Sequence, residues 1–293
     1  MKILIEPPTW LGDSVMASGT INEILKNYKN YQKIFLGSYV ASELFKDEFD
    51  KIIIDNKKNR FKNLLKLERV DVFISFRRSL YSKIIGLLKA KKSYFFNKQY
   101  SGHMVEKYSN YINEILNLNS LYPPILKTKK ISYKKPTLGI KPGANYGSAK
   151  RWYPKEFAKV ANELGKKYDV IIFGGPGEEE IAKDIEKNLT IKNYKNLCGK
   201  LSIKELAEHI GGLDLFITND SGPMHIAAAF KVPVVAIFGP TKYNETSPFN
   251  TKNKIVTKDL ECAPCMKREC PLKHHNCMKL ITAKDVIKAV EKL

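Results

Sequence analysis

The residues Asp220-Ser221-Gly222-Pro223-Met224-His225 follow an apolar run, Leu213 to Ile217, and lead into the alanine-rich stretch Ile226 to Ala229. A strand feeding a helix through Gly and Pro is the layout of an anion site. The first-turn amides of a helix have no intrahelical partners and carry the positive end of its macrodipole, and Gly222 lets a phosphate approach closely. Pro223 costs little there, because a first-turn residue needs no amide bond. A plain helix cap would explain Asp-Ser-Gly taken alone. The neighbours point to a ligand: Lys141-Pro142-Gly143-Ala144, Lys150-Arg151-Trp152, Phe173-Gly174-Gly175-Pro176-Gly177-Glu178-Glu179 and Phe238-Gly239-Pro240-Thr241 come after apolar β-like runs. Ligands of open α/β sheets bind beyond the carboxyl ends of the strands, so these junctions describe one pocket.

A similar junction lies near the start, where the run Ile3 to Glu6 leads through Pro7-Pro8 into Thr9-Trp10-Leu11-Gly12-Asp13-Ser14-Val15-Met16. An Asp just past the carboxyl end of a strand faces the ligand edge of the sheet; it can also cap a helix beginning near Ser14. Together with Asp-Ser-Gly-Pro-Met-His and a Cys-rich tail, this segment resembles the bacterial ADP-heptose:lipopolysaccharide heptosyltransferases, glycosyltransferase family 9. The resemblance covers most of the chain and is closest to the heptosyltransferase II members. It implies an α/β fold of GT-B architecture, two Rossmann-like domains with a cleft between them, and an inverting transfer from ADP-heptose.

Forming a glycosidic bond from a nucleotide-diphosphate sugar needs a base for the acceptor hydroxyl and cationic or dipolar groups for the leaving diphosphate. Asp13 is expected as the base, the role the resemblance implies for it, with Gly12 beside it on the acceptor side. Lys150 is expected as the point charge on a phosphate, with Arg151 assisting or lying on the rim. The amides near Ser221 and Gly222 would hold the pyrophosphate, and Asp220 would orient their loop or contact the donor sugar. His225 falls one turn into the helix, where it would reach a phosphate or hydrogen-bond in the core. Gly174 and Gly175 belong to the expected donor loop. Glu178 and Glu179 after it would accept ribose hydroxyls, although the macrodipole equally explains acids in a first turn. Arg77 and Arg78, after the run Val72 to Ile74, would meet the carboxylates and phosphates of an inner-core acceptor or form a surface charge pair at a helix start.

The sequence has no Asp-x-Asp triplet to chelate a metal, which fits a metal-independent mechanism with no required cofactor. The tail Cys262-x2-Cys265-x4-Cys270-x6-Cys277, with His274 and His275 in its last interval, offers enough soft ligands for zinc or an iron–sulfur cluster. Its spacing matches no standard zinc ribbon, and reduced structural thiols in a reducing cytosol are favoured.

These residues need strands and helices behind them. Residues 1 to 134 alternate short apolar runs (Ile3 to Ile5, Ile34 to Leu36, Ile52 to Ile54, Val72 to Ile74, Tyr94 to Phe96) with helix-like stretches, which predicts a mostly parallel sheet. The Pro- and Lys-rich stretch from Tyr122 to Pro136 interrupts that alternation and reads as a linker. A second βα series follows: Leu138 to Ile140, Val170 to Phe173, Leu213 to Ile217 and Val234 to Phe238. The expected domains are 1–134, binding acceptor, and 135–293, binding the nucleotide-sugar donor. At 293 residues and 43% hydrophobic content, the chain can bury a large core. It has no apolar run of about 18 residues, and its first residues enter a strand where a signal peptide would need a longer apolar region. The expected location is the cytoplasm, peripheral to the cytoplasmic face of the inner membrane. Fifty Lys and Arg against thirty Asp and Glu give +20, a field that attracts phosphates, anionic lipid head groups or nucleic acid. No nucleic-acid motif accompanies the dispersed lysines, so no nucleic-acid partner is expected.

The leading expectation is transfer of L-glycero-D-manno-heptose from ADP-heptose to the first heptose of a lipid A-Kdo-heptose acceptor. Alternatives are heptosyltransferase I-like transfer to Kdo and a nucleotide-sugar 2-epimerase of the same fold, which would consume donor without acceptor. A nucleic-acid-binding module would instead show strongly salt-dependent DNA or RNA binding.

Overall fold

Each of those apolar runs lies in or overlaps a strand of one of two parallel sheets in the computed structural model, which describes residues 1–97 and 99–293. The chain divides into Met1–Leu126 and Lys127–Leu293. The first unit contains β1 (Lys2–Glu6), β2 (Gln32–Gly37), β3 (Lys51–Ile54), β4 (Val70–Ser75) and β5 (Ala90–Phe95). Their order is β3-β2-β1-β4-β5, every neighbouring pair parallel. Helices α1 (Leu11–Met16), α2 (Ser18–Asn27), α3 (Tyr39–Phe45), α4 (Arg60–Lys66), α5 (Leu80–Lys89) and α6 (Met104–Leu116) fill the connections. Ile3, Leu4 and Ile5 are fully buried, as expected for a parallel strand covered on both faces. The strand order reverses at β1 and β4, so the loops leaving their carboxyl ends diverge and open a ligand crevice. One of these loops leads to Gly12-Asp13, the other to Arg77-Arg78.

The second unit repeats the logic with β6 (Thr137–Lys141), β7 (Asp169–Ile172), β8 (Tyr194–Asn196), β9 (Leu215–Asn219), β10 (Val234–Ile237) and β11 (Asn253–Val256). The order is β8-β7-β6-β9-β10-β11, again parallel, with its reversal between β6 and β9. Its helices are α7 (Pro154–Leu164), α8 (Glu179–Glu186), α9 (Ile203–Gly211), α10 (Gly222–Ala229), α11 (Tyr243–Thr246), α12 (Asn276–Lys279) and α13 (Ala283–Val290). Trp152 anchors one core cluster, edge-to-face on Phe157 at 4.9 Å between centroids, with its Nε1 donating to Ile281 O at 2.9 Å. Strands β8 and β11 were not expected. Both are short edge strands with polar residues, needing only one neighbour and a half-wet face, so they lack the apolar run that marks the others.

The stretch from Tyr122 to Pro136 is not a free linker. A Cβ on Gly19 would sit 2.1 Å from Pro123 O, and Ile125 N donates to Ser18 Oγ at 2.9 Å, so its first part lies tight on α2. Its later part packs on the second unit, where Ile131 N donates to Glu208 O at 3.0 Å and Tyr133 Oη lies 2.7 Å from His209 Nδ1. The division after Leu126 therefore precedes the boundary expected after Lys134. Among the described residues, no helix is long and apolar enough to cross a membrane.

Candidate active site

Asp13 sits in the first turn of α1, whose N-cap is Trp10, so the alternative reading of Asp13 as the cap of a helix beginning near Ser14 does not hold. An acid in the first turn complements the macrodipole without capping. The side chain is half-buried, and its charge adds to burial in pushing the Tyr108 phenol well above its ordinary pKa. Ser14 Oγ donates to Pro8 O at 2.9 Å and ties the preceding loop down.

Beneath that loop lies a buried charge cluster. Glu6, at the end of β1, accepts from Ser75 Oγ at the end of β4, and Arg77 Nη1 lies 3.4 Å from Glu6 Oε1 and 3.3 Å from Asp55 Oδ2. Arg77 Nε donates to Pro7 O at 2.8 Å. Burial raises the Glu6 pKa, while Arg77 and Ser75 oppose the shift. The Arg77 guanidinium, 10% exposed, thus clamps the loop that carries Gly12-Asp13, and only its Nη2 lacks a partner among the described residues. Arg78 is exposed.

In the second unit, Lys150 ends the short 3-10 turn Ser148–Lys150. Its ammonium pairs with Asp220 Oδ2 and lies 4.5 Å from the Tyr146 ring centroid. The same Asp220 oxygen accepts from Thr241 Oγ1 at 2.6 Å, so residues following β6, β9 and β10 meet at one point. Asn219 Nδ2 donates to Pro142 O, and its Oδ1 accepts from Trp152 N at 3.2 Å, which locks the β6 loop to the end of β9. Arg151 Nε and Nη2 both lie 3.4 Å from Ala144 O. Ser221 is the N-cap of α10 but gives no side-chain cap bond, and Gly222 opens the helix. His225 is buried one turn in.

Glu178 turns inward. Its carboxylate takes Lys141 Nζ at 2.8 and 2.9 Å and the Gly175 N–H at 2.8 Å, and both members of the ion pair are buried. It holds the loop instead of offering a carboxylate to a ribose. Burial lowers the Lys141 pKa and Glu178 opposes the shift. Gly143 makes the room: a Cβ there would lie 2.0 Å from Glu178 Cδ. Gly174 is likewise a close-packing residue, since its Cβ would lie 2.2 Å from Cys198 Sγ, whereas a Cβ on Gly175 would meet nothing within 4 Å. Glu179 is exposed and accepts from the Gly177 N–H at 2.8 Å, with Gly177 at φ +86°.

Residues 75–276 match the family model described as Glycosyltransferase family 9 (heptosyltransferase). This chain belongs to that family. A lipooligosaccharide heptosyltransferase 2 of Campylobacter jejuni (serotype O:6, strain 81116) is 45% identical over 314 aligned residues, covering 100% of this chain and 99% of the relative. The structure of Escherichia coli ADP-heptose lps heptosyltransferase II superposes with a TM-score of 0.83 at 22% identity, covering 100% of this chain and 98% of that one. An Escherichia coli heptosyltransferase solved with ADP-2-deoxy-2-fluoro heptose gives 0.76 at 15% identity, covering 100% and 99%. The family 9 chain therefore has the α/β, two-domain GT-B fold, and it is a glycosyltransferase.

In this family 9 transferase the Cys-rich tail braces the Lys150 turn. Ala149 N donates to Arg268 O at 3.0 Å, His275 Nε2 lies 2.9 Å from Ala149 O, and Tyr146 Oη donates to Met266 O at 2.8 Å. The Arg268 guanidinium lies 5.5 Å from the centroid of the Tyr146 ring that also carries Lys150. Cys262, Cys265, Cys270 and Cys277 line one cavity of about 20 Å³, and burial followed by the neighbouring thiols pushes Cys277 up to about 11. All are free thiols, and among the described residues no group of three or more His, Cys, Asp or Glu is arranged to hold a metal ion. Sequence reasoning gave no role to Glu6, Asp55, Tyr146, Asn219 and Arg268, and named Thr241 only as part of a strand-end junction. A polar residue ending an apolar strand was a usable signal for Glu6 and Asn219. Tyr146 and Arg268 carried none, because their partners come from distant segments.

Proposed function

We propose that this enzyme moves L-glycero-D-manno-heptose from ADP-heptose to the first heptose of a lipid A-Kdo-heptose inner core, with inversion, at the cytoplasmic face of the inner membrane. The observation that carries the reading is the meeting of Lys150, Asp220 and Thr241 beside the N-terminus of α10, at the switch point of the second sheet. Cation and helix N-terminus together suit a diphosphate. The reading assigns the second unit to the donor and the first to the acceptor. Lys150 and the amides near Ser221 and Gly222 take the charge that develops on the departing ADP, with Arg151 and Arg268 at the edge. Asp220 orients Lys150, His225 supports α10, and Glu179 and the backbone at Gly175 border the nucleoside. The Asp13 carboxylate removes the proton from the acceptor hydroxyl as its oxygen attacks the anomeric carbon and the bond to the diphosphate breaks. Gly12 and Arg78 border the acceptor, and Arg77 holds the loop. No step uses a metal or cofactor.

The experiment is incubation of the enzyme with ADP-heptose and defined truncated acceptors, reading product mass. Addition of one heptose to the heptose-bearing acceptor, with no donor consumed in its absence, is the expected result. Addition to an acceptor ending in Kdo would assign the first-heptose step instead, and donor conversion without acceptor would mark an epimerase.

A further inference from the structure

The first unit has a face on which the fold leaves apolar side chains outside, among cations. On α4, Phe61 and Leu65 are 73% and 66% exposed, one turn apart, and Lys62 and Lys66 are exposed beside them. On α5, Leu80 and Leu87 are 74% and 83% exposed, two turns apart, with Leu88 at 53% and Lys83 exposed on the same side. The helices are neighbours: Tyr81 Oη donates to Arg60 O at 3.0 Å, the Arg60 guanidinium lies 5.3 Å from the Tyr81 ring centroid, and Leu64 and Tyr81 pack on one core cluster. Packing fixes which side faces out. Ile85 is fully buried, and a Cβ on Gly86 would sit 2.7 Å from Phe95, so α5 cannot roll to hide its leucines.

Charge selects what covers this face. Between Asp55 and Glu68 the sequence holds Lys57, Lys58, Arg60, Lys62 and Lys66 with no acid, and from residue 72 to residue 105 it contains no Asp or Glu at all. A second copy of the chain would set these cations against themselves, because a two-fold contact brings a patch onto its own copy. An anionic bilayer offers both halves of the match. Apolar side chains enter the headgroup boundary while ammonium groups meet lipid phosphates.

We propose that α4 and α5 form a membrane-docking face for anionic bilayers, with Phe61, Leu65, Leu80 and Leu87 inserting and Lys62, Lys66 and Lys83 pairing with headgroups. The face is argued from exposure and charge; only its use, bringing the enzyme to a lipid-linked acceptor, rests on the proposed function. The test is co-sedimentation of the full chain with vesicles of phosphatidylglycerol and phosphatidylethanolamine, against vesicles of phosphatidylcholine alone. The parent should bind the anionic vesicles, bind less as salt rises, and leave the neutral ones. Phe61→Ser with Leu65→Ser, and separately Lys62→Glu with Lys66→Glu, should each weaken binding about tenfold or more. Both pairs should leave transfer to a delipidated, water-soluble acceptor unchanged and slow transfer to the acceptor embedded in vesicles. Parent protein that ignores anionic vesicles, or variants that bind them like the parent, would overturn the proposal, as would a dimer that both variants dissociate. Absence of transfer to the soluble acceptor by the parent would count against the proposed reaction alone, since vesicle binding is read without it.

Discussion

The proposed reaction gives Asp13 the role of base and Lys150 that of cation at the diphosphate, and each assignment makes a separable prediction. Asp13 stands in the first turn of α1 without capping it, and Asp13→Asn keeps the size of the side chain while giving up its charge, whose interaction with the helix dipole is about 0.3 to 1 kcal/mol. Asn cannot accept the hydroxyl proton. Melting and ADP affinity should stay near those of the parent while turnover falls by about two to four orders of magnitude. Transfer at close to the parent rate would show that the base lies elsewhere. Lys150→Ala removes the cation and leaves the Asp220 carboxylate, held by Thr241, as a negative charge beside the proposed diphosphate site. Calorimetric titration with ADP should show binding weaker by about 1.5 to 3 kcal/mol. Unchanged affinity would take Lys150 out of the donor site.

Among the elements, the ends of β6 and α8 are joined by the buried Lys141–Glu178 pair, which sets the loop carrying Gly174 and Gly175. Removing one partner leaves the other charge without compensation in a dry site. Glu178→Ala should therefore destabilise the protein by about 3 to 5 kcal/mol, read as a lowered urea midpoint. Replacing both, Lys141→Met with Glu178→Leu, should recover a large part of that loss, because two apolar groups need no partner. A single variant as stable as the parent would mean that the loop does not depend on this pair. Glu178 was legible in the sequence as an acid after a Gly-rich turn. Its direction was not, since it depends on the space left by Gly143 and on a lysine far away in sequence.

For the whole molecule, a charge of +20 draws an anionic nucleotide sugar from a distance. Raising ionic strength from about 0.01 M to about 0.15 M shortens the screening length from about 30 Å to about 8 Å. Under those conditions kcat/KM for ADP-heptose should fall about tenfold while kcat changes little, because steering acts on encounter and not on the bound complex. A flat profile would assign the charge to roles other than donor capture.

The apolar runs alone determined the parallel α/β sheets, because a strand covered on both faces must be apolar along its length; Ile3 to Ile5 and Val234 to Ile237 are such cases. They missed β8 and β11, where edge position relaxes that demand. Gly and Pro after the strands likewise located the loops at the carboxyl ends, including Gly12-Asp13 and Asp220-Ser221-Gly222, since those residue types are what tight exits and a helix start require. Only the tertiary structure decided which way the charged side chains turn. Arg77 and Glu178 read in sequence as ligands for a substrate, yet each is committed to a buried partner, Glu6 and Asp55 for one and Lys141 for the other. The Cys-rich tail read as reduced structural thiols ahead of a metal site, and only the folded chain showed that its backbone also braces the turn that carries Lys150. Such pairings join residues dozens of positions apart, and a charge buried by folding must be met by whatever partner the fold brings within a few ångströms.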